Sequence, residues 1–140
     1  MTSYKNASPK LRENKEAALF TVTIETCFSA SHQLTYASGE KEPLHKHNWL
    51  VRTTVATDQL DENGLAVDFI DLKVNVEKIT AALDNKQLEN LDCFKGINAS
   101  AENVAKYIFD KLEPLVPTEA TLVYIEVMEA ENCWARYTAR

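Results

Sequence analysis

The chain has 140 residues, 45% hydrophobic and 26% charged, which is enough for one buried core and argues against disorder as the whole answer. Its net charge of −6 argues against a nucleic-acid partner, which calls for a basic face. No apolar run approaches the roughly 20 residues a membrane helix needs. The polar start has no signal-peptide core, so the expected compartment is the cytoplasm.

Residues 1–17 read as a polar N-terminal arm, with room for a short helix over Leu11–Ala18; residues 18–140 read as one domain. From Phe20 the hydrophobic period is two. Phe20, Val22, Ile24, Thr26, Phe28, Ala30 and His32 share one face of a strand. A second strand runs His45–Thr57, and Asp58–Gly64 is a turn by composition. Asp68 is placed to cap a helix whose apolar residues are Phe69, Leu72, Val76, Ile79 and Leu83. Ser100 is placed to cap another, with Val104, Ala105, Ile108, Leu112 and Leu115 inward. Two last strands, Ala120–Glu129 and Cys133–Thr138, meet at a turn over Glu131–Asn132. Runs of strands and runs of helices imply an α+β fold with an antiparallel sheet. Two helices cover only one face of four strands, so other subunits are expected to cover the rest.

The cysteines, Cys27, Cys93 and Cys133, are odd in number and far apart, which is no disulfide framework and no Cys-x-x-Cys site. They read as structural or incidental. The three glycines are isolated, so no phosphate-cradling loop is available. The three histidines are more informative. His45 and His47 lie two apart, on one face of a strand, and His32 ends the preceding strand. In a hairpin all three converge. Singly each histidine is an ordinary polar residue, but three imidazoles with a fourth position open is the form of a catalytic zinc site. Iron, nickel or copper also accept such ligands. No carboxylate or cysteine has an obvious claim to the fourth position.

Phe28-Ser-Ala-Ser-His32-Gln-Leu34, Leu44-His-Lys-His-Asn48-Trp49, Gly64-Leu-Ala-Val-Asp68-Phe69, Leu83-Asp84, Asn98-Ala-Ser-Ala-Glu102-Asn103 and Val127-Met-Glu129 occur in one order. This set resembles the 6-pyruvoyl-tetrahydropterin synthase and 6-carboxytetrahydropterin synthase family over residues 20–138. The resemblance implies the tunnelling fold, with a four-stranded antiparallel sheet and two helices on one face. It implies sheets joined into a barrel by a homo-oligomer, a trimer or a hexamer of two trimers. It also implies Zn2+ on His32, His45 and His47, a small-molecule pterin substrate (7,8-dihydroneopterin triphosphate), a lyase reaction on its side chain, and in bacteria a link to queuosine synthesis.

Within that resemblance Glu129 matches the pterin-anchoring glutamate, whose carboxylate accepts two parallel N–H bonds. Ser100 and Glu102 fall in the segment that lines the pterin pocket in relatives. Asp84 matches the aspartate of a catalytic Asp-His pair, but here the next residue is Asn85, which cannot titrate. The usual cysteine, four residues before His45, is Lys41, and Lys46 replaces the glycine of His-Gly-His. Lys41, Glu42 and Glu40 are therefore the candidate substitute bases, since some members of the family use a glutamate in place of the thiol. The alternative is a catalytically impaired paralogue that binds a pterin or related purine-like ligand.

Overall fold

In the computed structural model, which describes residues 19–139, the period-two run from Phe20 forms β1 (Phe20–His32) and the next forms β2 (His45–Thr57). They pair antiparallel along their full length, Phe20 opposite Thr57 and His32 opposite His45. The helix expected over Leu11–Ala18 lies outside the described residues.

Helix α1 spans Phe69–Ala81, and the Asp68 carboxylate accepts from the backbone N–H of Ile70 at 2.8 Å and of Asp71 at 3.2 Å. Helix α2 spans Ala101–Leu112 behind a Ser100 cap, and buries Val104, Ala105, Ile108, Phe109 and Leu112. Three inward expectations need correction. Phe69 is 51% exposed, because at the first residue of α1 it projects beside the outer end of β1. Leu115 is 49% exposed, because Pro114 turns the chain into a 3-10 turn over Glu113–Leu115 and the helical period ends there. Phe20 starts β1 at its outer end and is also largely exposed. Leu83 is fully buried, but past the end of α1.

The sheet is a second correction. It has five strands, not four, in the order β3-β1-β2-β4-β5. Asn85, at φ +59°, turns the chain, and its N–H reaches the Ser29 carbonyl at 2.6 Å. Two residues, β3 (Lys86–Gln87), then lie parallel to β1 at Ala30 and Ser31. A strand of two residues leaves no periodicity to read. Strands β4 (Thr121–Ala130) and β5 (Cys133–Tyr137) form the closing hairpin, with Asn132 at φ +63° in its turn.

The helix-facing side of the sheet carries the core: Phe28 and Ala30, Trp49 and Val51, Ile125 and Val127, all buried. Trp49 stacks on Phe28 with centroids 5.7 Å apart and donates its indole N–H to the Ala30 carbonyl at 3.2 Å. The opposite face is polar. There Arg52 pairs with Glu25 and lies over Trp134, and Arg136 pairs with Glu126 and lies over Tyr124. Among the described residues no helix is long and apolar enough to cross a membrane.

Candidate metal centre

At one end of the sheet the apolar rows stop and ligating groups take over. His32 continues the row of Phe28 and Ala30, His45 and His47 continue that of Trp49 and Val51, and Glu129 continues that of Ile125 and Val127. The full-length register of β1 on β2 places His32 opposite His45 and Ala30 opposite His47. The imidazole centroids of His32 and His45, and of His45 and His47, are each 4.5 Å apart. The four residues each offer a ligand atom, and these atoms all lie within 4.8 Å of one another, so the group could hold a metal ion.

Backbone carbonyls set the tautomers. His32 Nδ1 lies 2.7 Å from the Ala99 oxygen and His45 Nδ1 lies 2.8 Å from the Pro43 oxygen. A carbonyl only accepts, so each Nδ1 carries a proton, and in the neutral ring Nε2 is left as the lone pair that faces Glu129. This is the arrangement that orients metal-binding imidazoles. His32 is completely buried, and its Nε2 makes no hydrogen bond of good geometry, although Glu129 Oε1 approaches it to 2.6 Å. A buried acceptor left so is costly unless something electrophilic meets it. The donor set and this orphaned nitrogen fit a divalent cation of zinc type. The Pro43 carbonyl raises the pKa of His45, while burial lowers that of His47.

The absence of a carboxylate at the fourth position is the expectation overturned here. Glu129 Oε1 lies 2.6 Å from His32 Nε2 and 3.5 Å from the Nε2 of both His45 and His47. Its parity with Ile125 and Val127 points it toward the helix side, a signal already present in the alternation of Ile125-Glu-Val-Met-Glu129.

The family profile described as 6-pyruvoyl tetrahydropterin synthase matches residues 21–140. The chain belongs to that family. A Synechocystis sp. protein named 6-carboxy-5,6,7,8-tetrahydropterin synthase is 34% identical over 125 residues, covering 85% of this chain and 93% of its own. A Homo sapiens protein named 6-pyruvoyl tetrahydrobiopterin synthase is 32% identical, covering 79% and 86%. The structure of Caenorhabditis elegans 6-pyruvoyl tetrahydropterin synthase superposes with a TM-score of 0.76 at 21% identity, covering 88% of this chain and 97% of that one. The fold is thus the tunnelling fold of the 6-pyruvoyl tetrahydropterin synthase family.

The other candidate residues of this family member fall in different places. Glu42 comes to the centre: its Oε1 accepts from the Leu34 N–H at 3.0 Å and lies 3.7 Å from His45 Nε2. Lys41 does not; it bridges to Thr35 and lines a separate cavity with Gln33, Glu89, Phe94 and Asn98. Glu40 is exposed. Asp84 sits at the β1 edge, where its Oδ1 accepts from the Ser29 N–H at 2.9 Å, apart from the ligating group of this chain. Ser100 caps α2 by accepting from the Asn103 N–H at 3.2 Å, one residue beyond the carbonyl that holds His32, and Glu102 is exposed in the first helical turn. Lys46 lies on the other face, lining a cavity with Ser31 and Asn85. All three cysteines are free and exposed.

Proposed function

We propose that the chain is a zinc-dependent enzyme of pterin metabolism, a lyase acting on the side chain of 7,8-dihydroneopterin triphosphate, with His32, His45 and His47 as the ligands and Glu42 as the altered base. The observation that carries this is the convergence of three imidazoles, two with Nδ1 tied to backbone carbonyls, around a buried Nε2 that makes no hydrogen bond of good geometry. Zinc held there supplies a Lewis acid for the side-chain hydroxyls. Glu42 lies 3.7 Å from His45, and in this reading it takes a proton from a carbon beside those hydroxyls. Its Oε1 is steadied by the Leu34 N–H, which leaves Oε2 to take that proton. Lys41, turned to another cavity, has no part in proton transfer in this reading. Glu129 anchors the pterin edge through paired N–H bonds, with Ser100 and Glu102 lining the pocket.

The assembly follows from the edges. β3 covers β1 only at Ala30 and Ser31, and β5 pairs on one side only. Homo-oligomerisation through these edges, as a trimer or a hexamer, closes the sheet. A cytoplasmic enzyme that feeds queuosine synthesis fits the same reading.

The alternative is a pterin-binding paralogue with little turnover. It draws on Asn85, which cannot titrate, and on Asp84, which is tied to the Ser29 N–H. Incubation of zinc-loaded protein with 7,8-dihydroneopterin triphosphate, with products followed by chromatography, separates the two. Turnover supports the enzyme; tight pterin binding without product supports the paralogue.

A further inference from the structure

We infer that Asn98 is a positioning residue for the proposed base: through Thr35 it holds Glu42 at a fixed place relative to the three imidazoles. The inference rests on the enzyme reading above and adds to it a residue whose own hydrogen bonds go neither to Glu42 nor to the imidazoles.

The base sits on a loop. Residues 33–44 link β1 to β2, and the strands pair only as far as His32 opposite His45. Such connections are the more mobile parts of a fold unless something ties them down. Glu42 is tied to Leu34 twice. Its backbone N–H donates to the Leu34 carbonyl at 3.0 Å, and its Oε1 accepts from the Leu34 N–H at 3.0 Å. Thr35 bridges to Lys41, and the tip is closed by the Tyr36 N–H on the Glu40 carbonyl at 2.8 Å. All these bonds are internal to the loop. They fix Glu42 against Leu34 and leave open where that pair sits.

Asn98 supplies the hold from outside. Its Oδ1 accepts from the Thr35 N–H at 2.9 Å, and its Nδ2 donates to the Thr35 carbonyl at 2.9 Å. A reversed amide would set donor against donor and acceptor against acceptor, so both bonds belong to one orientation. The side chain closes on Thr35 as the backbone of a neighbouring antiparallel strand would. Asn98 is held in turn: its carbonyl accepts from Nδ2 of Asn103, in the first turn of α2, at 2.8 Å. The next residue, Ala99, offers the carbonyl that receives the His32 Nδ1 proton. One short stretch ahead of α2 therefore fixes both the buried imidazole and the loop that carries the base.

The consequence is geometric. A base works over a narrow range of distance and direction, and a misplacement of about 1 Å can cost about 100-fold. Without the Asn98 amide the loop keeps its internal bonds but swings on the residues that follow His32, and Glu42 swings with it. The other parts do not need that amide. Ser100 caps α2 through its own hydroxyl, and His32 uses the backbone of Ala99. The loss belongs to proton transfer and not to metal uptake.

The test is a double-mutant cycle on zinc-loaded protein with 7,8-dihydroneopterin triphosphate, together with amide hydrogen exchange read by NMR. Asn98→Ala should lower kcat about 10- to 100-fold, with KM within about twofold and zinc content unchanged. Asn98→Asp keeps the acceptor for the Thr35 N–H and loses the donor, so it should fall between. In a Glu42→Gln background Asn98→Ala should cost less than about twofold more, because a base already removed cannot be misplaced. In Asn98→Ala the Glu42 amide, which Asn98 does not touch, should exchange at least about 10-fold faster, with the later turns of α2 unchanged. Equal losses of kcat in the two backgrounds would overturn the inference while the enzyme reading stands, and so would an unaltered Glu42 amide. Should Asn98→Ala fail to fold, the same comparisons with Asn98→Asp decide. No turnover by the wild type, or full turnover by Glu42→Gln, would instead overturn the enzyme reading as proposed, and this inference with it.

Discussion

The ring of His32, last residue of β1, donates through Nδ1 to the carbonyl of Ala99, 2.7 Å away and one residue before the cap of α2. One hydrogen bond thus fixes the tautomer of a buried ligand and joins the sheet to the segment that opens the second helix. His32 is structural as well as ligating, whereas His45 is about a third exposed. In chelator, His32→Ala should cost about 2–4 kcal/mol, from the cavity and from the orphaned Ala99 carbonyl. His45→Ala should cost under about 1 kcal/mol. Urea unfolding of the two variants checks this, and equal losses would contradict the division of roles.

Glu42 and Lys41 are neighbours in sequence, but Glu42 faces His45 while Lys41 lines a separate cavity. Glu42→Gln should lower turnover of 7,8-dihydroneopterin triphosphate by about 100- to 10,000-fold, the usual worth of a positioned base. Lys41→Ala should leave it within about threefold, the effect of a residue outside the proton path. Chromatographic product assays of both variants decide; the reverse pattern would make the lysine the base.

Two helix caps separate stability from binding. Asp68→Ala and Ser100→Ala each remove a side-chain acceptor from a helix start and should each cost about 1 kcal/mol. Only the second lies beside the carbonyl that holds His32, so only Ser100→Ala should also raise KM for the pterin. Thermal unfolding together with steady-state kinetics reads both effects.

Cys93 is exposed as a residue, but desolvation of its thiol beside Tyr107 raises its pKa, and desolvation likewise raises that of the Tyr107 hydroxyl. The thiolate is the form that reacts. Alkylation of Cys93 by iodoacetamide, followed by peptide mass spectrometry, should therefore level off at a higher pH than alkylation of a free-cysteine peptide measured alongside. A plateau at or below that of the peptide would contradict the desolvation of that thiol.

The three histidines were legible because strand periodicity is strict: two apart means one face, and a hairpin brings the third opposite. The caps Asp68 and Ser100 were legible because their chemistry is local. The alternation of Ile125, Val127 and Glu129 gives the face of Glu129, but its approach to the imidazoles depends on the β2–β4 register and on a slip in the β4–β5 ladder, neither of which is written in local composition. β3 escaped for a related reason: a positive φ at Asn85 creates it, and two residues carry no pattern. Phe69 and Leu115 obeyed helical spacing on paper, but one sits where α1 begins and the other beyond a proline. Lys41 and Glu42 differ by one position, and only the turn from Leu34 to Glu42 decides which of them meets His45.

The central claim is that three imidazoles present their Nε2 atoms to a single divalent ion. Metal analysis of protein purified without chelator tests it most directly. The account predicts about one zinc per chain, with His45→Ala and His47→Ala each emptying the site. Wild-type protein that stays metal-free with zinc supplied in excess, or variants that keep their zinc, would contradict it.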